Sequence, residues 1–171
     1  MTLARRLILA LALLLAPAGH ALALDPPKGP VILTMAGALG TTNAEVDGRR
    51  VARIDREMLA ALPQRAFRTA TPWHTGAPEF RGPTLRDVLA LVGARGREMR
   101  VIAINDYAST VPVADAEFDV VLATHIDGAP IPVREKGPLF IVYNFDGQPR
   151  LRTEQYFSRS VWQVKSIEIL P

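Results

Sequence analysis

Phe67-Arg68-Thr69-Ala70-Thr71-Pro72-Trp73-His74 and Gly82-Pro83-Thr84-Leu85-Arg86-Asp87-Val88-Leu89 are the stretches on which the fold of this chain turns. Phe67 to Thr71 is aromatic and β-branched, which predicts a strand. Pro72 withdraws a backbone donor just past it, and Trp73 and His74 follow on a loop. Thr84-x-x-Asp87 is a capping box, in which the threonine hydroxyl accepts from the Asp87 amide. Val88, Leu89, Leu91 and Val92 then fall on one face of a short helix, and Gly93 stops it.

Working outward, Val31 to Ala36 is an apolar run suited to a strand, and Gly37 to Gly48 is turn-rich and polar. Asp55 caps a predicted short helix that runs through Leu62 and stops at Pro63. Met99 to Asn105 reads as a buried strand, with Ser109 to Val113 as its alternating partner. Ala114 to Phe118 suits a helical turn. Val120 to Ile126 is a further strand, and Asp127-Gly128 is a hairpin signal. Leu139 to Phe145 reads as a strongly apolar strand. Glu154 to Ser160 suits either a short helix or a loop, and Val161 to Leu170 alternates as a closing strand. Many short strands with two or three helices out of alternating order predict an α+β domain with a mixed or mostly antiparallel sheet.

The first 23 residues read as a secretory signal peptide. Arg5 and Arg6 form a basic start, Leu7 to Leu15 is apolar, and Ala21-Leu22-Ala23 is a small-x-small cleavage site. The apolar run is shorter than the roughly 20 residues of a spanning helix. The weak context of the arginine pair favours general secretion over twin-arginine export. Residues 24–171 then suit one domain with a substantial core. Without Arg5 and Arg6, 18 basic residues face 17 acidic ones. No basic tract with interleaved aromatics points to nucleic acid. There is no cysteine, hence no disulfide framework.

Thr69 to Trp73 and the helix beginning after Thr84 resemble the active-site strand and following helix of the sulfite-oxidase-type molybdopterin-binding domain, which shows Cys-x-x-x-Trp. Thr69 stands at the cysteine position. Asn105-Asp106-Tyr107, the Ile131 to Leu139 segment and Ser160 to Ile167 resemble further blocks of that family, in the same order. A thiolate is a soft anionic ligand and a threonine hydroxyl is neither. The chain resembles a cysteine-free group of small periplasmic members. That resemblance implies a periplasmic pterin-binding protein without catalysis, signalling to a membrane partner that regulates cyclic-di-GMP. It implies a reduced pterin as ligand and no tightly bound cofactor. A molybdopterin oxidoreductase lacking the usual ligand is the alternative, and a scaffold that has lost all ligands is a third reading.

A pterin has a flat ring and an edge carrying N3–H and a 2-amino group. It calls for a stacking platform, worth about 1–3 kcal/mol by analogy with bases, and a carboxylate facing two parallel donors. Asp106, between Asn105 and Tyr107, is the candidate carboxylate, or else a turn aspartate bonding its own backbone. Trp73 is a candidate platform or a core residue, and His74 a candidate donor. Tyr107, Tyr143 and Tyr156 are candidate platforms or hydroxyl donors, or else core or rim residues. Arg159 is a candidate partner for a carbonyl or anionic edge, or a surface ion pair. Tyr156 and Arg159 share a polar segment, Arg152 to Ser160, suited to a ligand or partner loop. Lys165 and Ser166 match the phosphate end of the larger cofactor's site. His125 reads as a core residue, and two histidines without neighbouring thiols or suitably spaced carboxylates do not make a zinc site.

Overall fold

The computed structural model describes residues 24–171; the expected signal peptide, residues 1–23, lies outside them. In chain order the elements are β1 (Val31–Gly37), β2 (Ala44–Val46), β3 (Arg49–Asp55), α1 (Arg56–Ala60), β4 (Gln64–Arg68), β5 (Glu79–Pro83), α2 (Leu85–Leu91), β6 (Glu98–Ala103) and β7 (Ala108–Pro112). A 3-10 turn at Val113–Phe118 leads to β8 (Val121–Ala123), β9 (His125–Ile126), β10 (Ala129–Pro130), β11 (Phe140–Val142), α3 (Glu154–Arg159) and β12 (Val164–Leu170). No helix among the described residues is long and apolar enough to cross a membrane.

Six strands form the main sheet in the order β2-β3-β1-β12-β6-β7. Every pairing in it is antiparallel except β1 with β12. A four-stranded sheet runs β10-β9-β5-β4, and β11 pairs with β8 as a two-stranded ribbon. The ribbon is buried on both faces, and alternation along it feeds two cores. Leu122 and Ile141 join the main core under the six-stranded sheet. Val121, Ala123, Phe140 and Val142 join a second, aromatic core with Phe67 and Phe80, against which Trp73 and Trp162 pack.

Local chemistry explains the helix starts. Asp55 Oδ1 accepts from the Met58 amide at 2.9 Å, and its other oxygen takes the amides of Lys28 and Gly29 at 2.7 and 2.8 Å. Thr84 accepts from the Asp87 amide at 3.1 Å and donates to its carboxylate at 2.6 Å. Gly93 ends the second helix at φ +57°, a conformation that favours glycine.

Several sequence-based boundaries move, and the strand expected over Val120 to Ile126 splits into β8 and β9, which belong to different sheets. The strand expected at Phe67 to Thr71 is Gln64–Arg68, in register with β5 through Phe67 and Phe80. Beyond it Thr71 turns the chain, its hydroxyl taking the Trp73 amide and bonding His74. The polar stretch to Gly48 contains β2, which closes a hairpin with β3 through Asp47 and Gly48, both at positive φ. The strand expected to Phe145 ends at Val142, although Tyr143 and Phe145 remain buried. The closing strand starts at Val164 and not at Val161, because Gln163 sits at φ +52° and breaks the extension.

Candidate functional site

A cleft of about 570 Å³ opens where three segments meet: the loop after β4, the β6–β7 turn, and α3 with its lead into β12. The lining residues are Pro72, Trp73, Ala103, Asn105, Tyr107, Glu154, Phe157, Ser158, Ser160, Val161 and Trp162. Trp73 is the hub of its aromatic wall. Its ring centroid lies 5.2 Å from Trp162, 5.9 Å from Phe140 and 6.1 Å from Phe157, each pair edge-to-face. Such pairs add about 0.5–1.5 kcal/mol beyond area burial and hold the rings in place. Trp73 is therefore both a core residue and a cleft wall.

The opposite rim is tied by one hydrogen bond. The Tyr107 hydroxyl donates to the Ser158 carbonyl at 3.2 Å, joining the β6–β7 turn to α3. The Asn105 carbonyl oxygen accepts from the Tyr107 amide at 3.2 Å, a local turn bond. The hydroxyls of Ser158 and Ser160 donate to the carbonyls of Gln155 and Tyr156. Among the described residues, the Glu154 carboxylate and the Asn105 amide nitrogen have no protein partner in this lining.

Helical periodicity sorts the α3 residues. Glu154, Phe157 and Ser158, spaced i, i+3 and i+4, share the face that meets the cleft. Tyr156 and Arg159, spaced i and i+3, share the other face. Tyr156 packs edge-on against Phe118 and Tyr143, with the Arg159 guanidinium 5.2 Å from its ring centroid. Arg159 binds Asp115 at 2.9 Å, with side-chain exposures of 15% and 5%. Asp115 also accepts from the Tyr143 hydroxyl at 2.6 Å. Burial first, and then that bond, push the Tyr143 phenol well above its ordinary range.

The other candidates lie outside the lining. Asp106 sits at φ +65° with its side chain 84% exposed, and its carboxylate takes Lys165 Nζ at 2.6 Å. That bond holds the Asp106 carboxyl below its ordinary range. His74 bonds the Thr71 hydroxyl at 2.8 Å and packs on Phe80 and Phe140. Burial, and then the Lys136 charge, lower its pKa. Lys165 and Ser166 border a separate depression of about 490 Å³ beside Thr34, Arg53 and Val133. Thr69 is fully buried, and its hydroxyl accepts from the Asp146 amide at 3.0 Å. The Asp146 carboxylate in turn takes the Ala70 amide at 2.8 Å and pairs with Arg152. Backbone donation from Ala70 is the first cause of its lowered pKa. No three potential metal-ligating side chains converge among the described residues.

Of the sequence-based candidates, the cleft thus gathers Trp73, Asn105 and Tyr107. It adds Glu154 and Trp162. Glu154 lies inside the polar segment flagged from the sequence, but a six-residue helix splits that segment into a cleft face and a core face. Trp162 precedes the closing strand and bridges to Phe140.

Residues 52–148, more than half of the chain, match the oxidoreductase molybdopterin-binding domain family. The chain belongs to that family. Among solved structures it is similar to the sulfane dehydrogenase SoxCD from Paracoccus pantotrophus, at TM-score 0.59 and 16% identity. The match covers 81% of this chain and 37% of that one, so the chain spans well under half of its structural relative. No curated protein sequence matches it. The fold is the sulfite-oxidase-type molybdopterin-binding fold, α+β with mixed sheets and few short helices.

The residues present do not suit a molybdenum centre held in the family's usual way. The chain has no thiol, and Thr69 offers a hard, neutral oxygen already committed to the Asp146 amide. The cleft, by contrast, presents the ring faces of Trp73, Phe157 and Trp162 with few polar groups.

Proposed function

We propose that this protein binds a reduced pterin without catalysing a reaction. We further propose that it is exported to the periplasm. There it would report pterin occupancy to the periplasmic region of a membrane protein that regulates cyclic-di-GMP. The observation that carries the binding reading is the aromatic cleft around Trp73, in a chain without a cysteine to hold molybdenum in the family's usual way. Apolar ring faces with a few convergent polar groups are the usual composition of a small-molecule site. Export rests on the signal-like sequence of residues 1–23, and the partner on resemblance to the cysteine-free members of the family.

The test is anaerobic calorimetry of the purified mature protein with tetrahydropterin, alongside mass spectrometry and metal analysis of material released from protein taken from its native periplasm. A pterin without molybdenum is the expected result. Absence of any pterin binding would sink the proposal.

Membership of a molybdopterin-binding oxidoreductase family favours a second reading, a redox enzyme whose metal has an unconventional protein ligand or none. Stoichiometric molybdenum with a phosphorylated pyranopterin in the native protein would establish it.

A further inference from the structure

We propose that Glu154 is the group that reads the ligand in this cleft. Its partner would be the edge of a planar, unphosphorylated heterocycle that carries two adjacent N–H donors. The inference rests on the pterin-binding reading and narrows it.

The sign of the charge comes first. Glu154 is the one carboxylate in the lining, and no lysine or arginine lines the cleft. Two basic residues of neighbouring segments are engaged elsewhere. Arg159 is held by Asp115 on the far face of α3, and Lys165 pairs with Asp106 and borders the other depression. A phosphorylated ligand would bring at least one negative charge to a wall whose only formal charge is also negative. Phosphate sites are built from arginine, lysine or converging backbone amides.

Hydrogen-bond accounting comes second. The hydroxyls of Tyr107, Ser158 and Ser160 already donate to backbone carbonyls. Glu154 has no hydrogen bond or ion pair among the described residues. An ionised carboxylate is acceptor-only, so its complement is a donor pair. Two parallel N–H groups, such as N3–H and the 2-amino group of a pterin, meet its two oxygens in a bidentate, charge-assisted pair. Trp73, Trp162 and Phe157 supply apolar ring surface beside it, and the Asn105 amide is left to donate to a ring carbonyl. Asp106 cannot serve as well, because Lys165 already occupies its carboxylate.

The experiment is anaerobic calorimetry of the mature protein and of Glu154→Gln with three probes, each in the tetrahydro form: pterin, lumazine and a pterin monophosphate. Lumazine replaces the 2-amino group with an oxo group and so loses the donor pair. The wild type is expected to bind pterin about tenfold more tightly than lumazine, the scale of a hydrogen bond to a charged group. It is expected to bind the phosphorylated probe more weakly than pterin. Glu154→Gln should erase the preference for pterin over lumazine and narrow the penalty on the phosphate. Glu154 is exposed, and an unchanged melting curve shows that the variant is folded. If the wild type binds pterin while Glu154→Gln keeps both affinity and preference, this inference is overturned and the pterin reading stands. If the wild type binds none of the probes, both fall.

Discussion

Asp115→Ala offers the sharpest test of what holds the cleft in shape. The wild-type carboxylate is 5% exposed and has two partners, the Arg159 guanidinium at 2.9 Å and the Tyr143 hydroxyl at 2.6 Å. Truncation leaves a nearly buried guanidinium without a counter-charge and a fully buried phenol without an acceptor. No buried side-chain polar atom among the described residues lacks a partner in the native fold, so the variant introduces defects where there were none. Removing one member of a buried pair costs about 3–5 kcal/mol. An unpaired buried hydroxyl costs about 1–3 kcal/mol, and the two losses overlap because they share one acceptor. Arg159 retains 15% exposure and can recover some hydration, which favours the lower end, about 3 kcal/mol.

Against a total stability of about 5–15 kcal/mol, that loss is large. With a urea slope of about 2 kcal/mol/M it moves the midpoint by about 1.5 M, and it lowers the melting temperature by about 10 °C. Tryptophan fluorescence is the natural probe, since both tryptophans pack on the aromatic core. The triple variant Asp115→Leu, Arg159→Met, Tyr143→Phe replaces the network by apolar groups and should return to within about 1 kcal/mol of wild type. Because Arg159 ends the helix that carries Glu154, Phe157 and Ser158, Asp115→Ala should also weaken the pterin binding proposed for the cleft. A loss below about 1 kcal/mol would mean that the pair behaves like a solvated surface bridge, and the reasoning fails.

Two further outcomes are expected. Thr69→Val keeps the shape of the side chain but removes the acceptor for the Asp146 amide, so it should cost about 1–3 kcal/mol in urea unfolding; a neutral result would mean that water replaces the hydroxyl. Stability should fall with acid in two stages. His74 and His125 are lowered chiefly by burial, so the stability tied to their neutral forms is complete above 6.5 and declines as pH drops through their folded values. Asp55, Asp119 and Asp146 are lowered by hydrogen bonds to their ionised forms, so their share is complete above 3.8 and is lost below it. A urea midpoint that stays flat from pH 7 to pH 4 would refute the histidine stage.

Signals that act over three or four residues were legible before any coordinates. Asp55 and Thr84 cap helices through bonds to neighbours three residues on, and Asp127-Gly128 turns a hairpin at positive φ. The strand Arg49–Asp55 was not legible as one. Its burial does not alternate, since Val51 and Ala52 are both buried, and its pairing with β1 shifts register between Val31 and Leu33. An irregularity of that kind erases the period of two on which strand reading depends. In the site, Asn105 and Tyr107 were found because they flank a strand end. Glu154 was missed for a different reason. Glu154 to Ser160 suits a helix or a loop from sequence, and only the helical turn separates Glu154, on the cleft face, from Tyr156 and Arg159, on the core face.

Thr69 stands where resemblance to the family places the metal-binding cysteine. In this chain Thr69 works as a latch, accepting from the Asp146 amide while the Asp146 carboxylate takes the Ala70 amide and Arg152. The latch and the cleft wall share one loop: Thr69 is committed to the Asp146 amide while Trp73, four residues on, lines the cleft. Recovering a metal site would require the loop from Thr69 to Trp73 and the turn at Asp146 to move together, and the first of these carries the tryptophan on which the cleft is built.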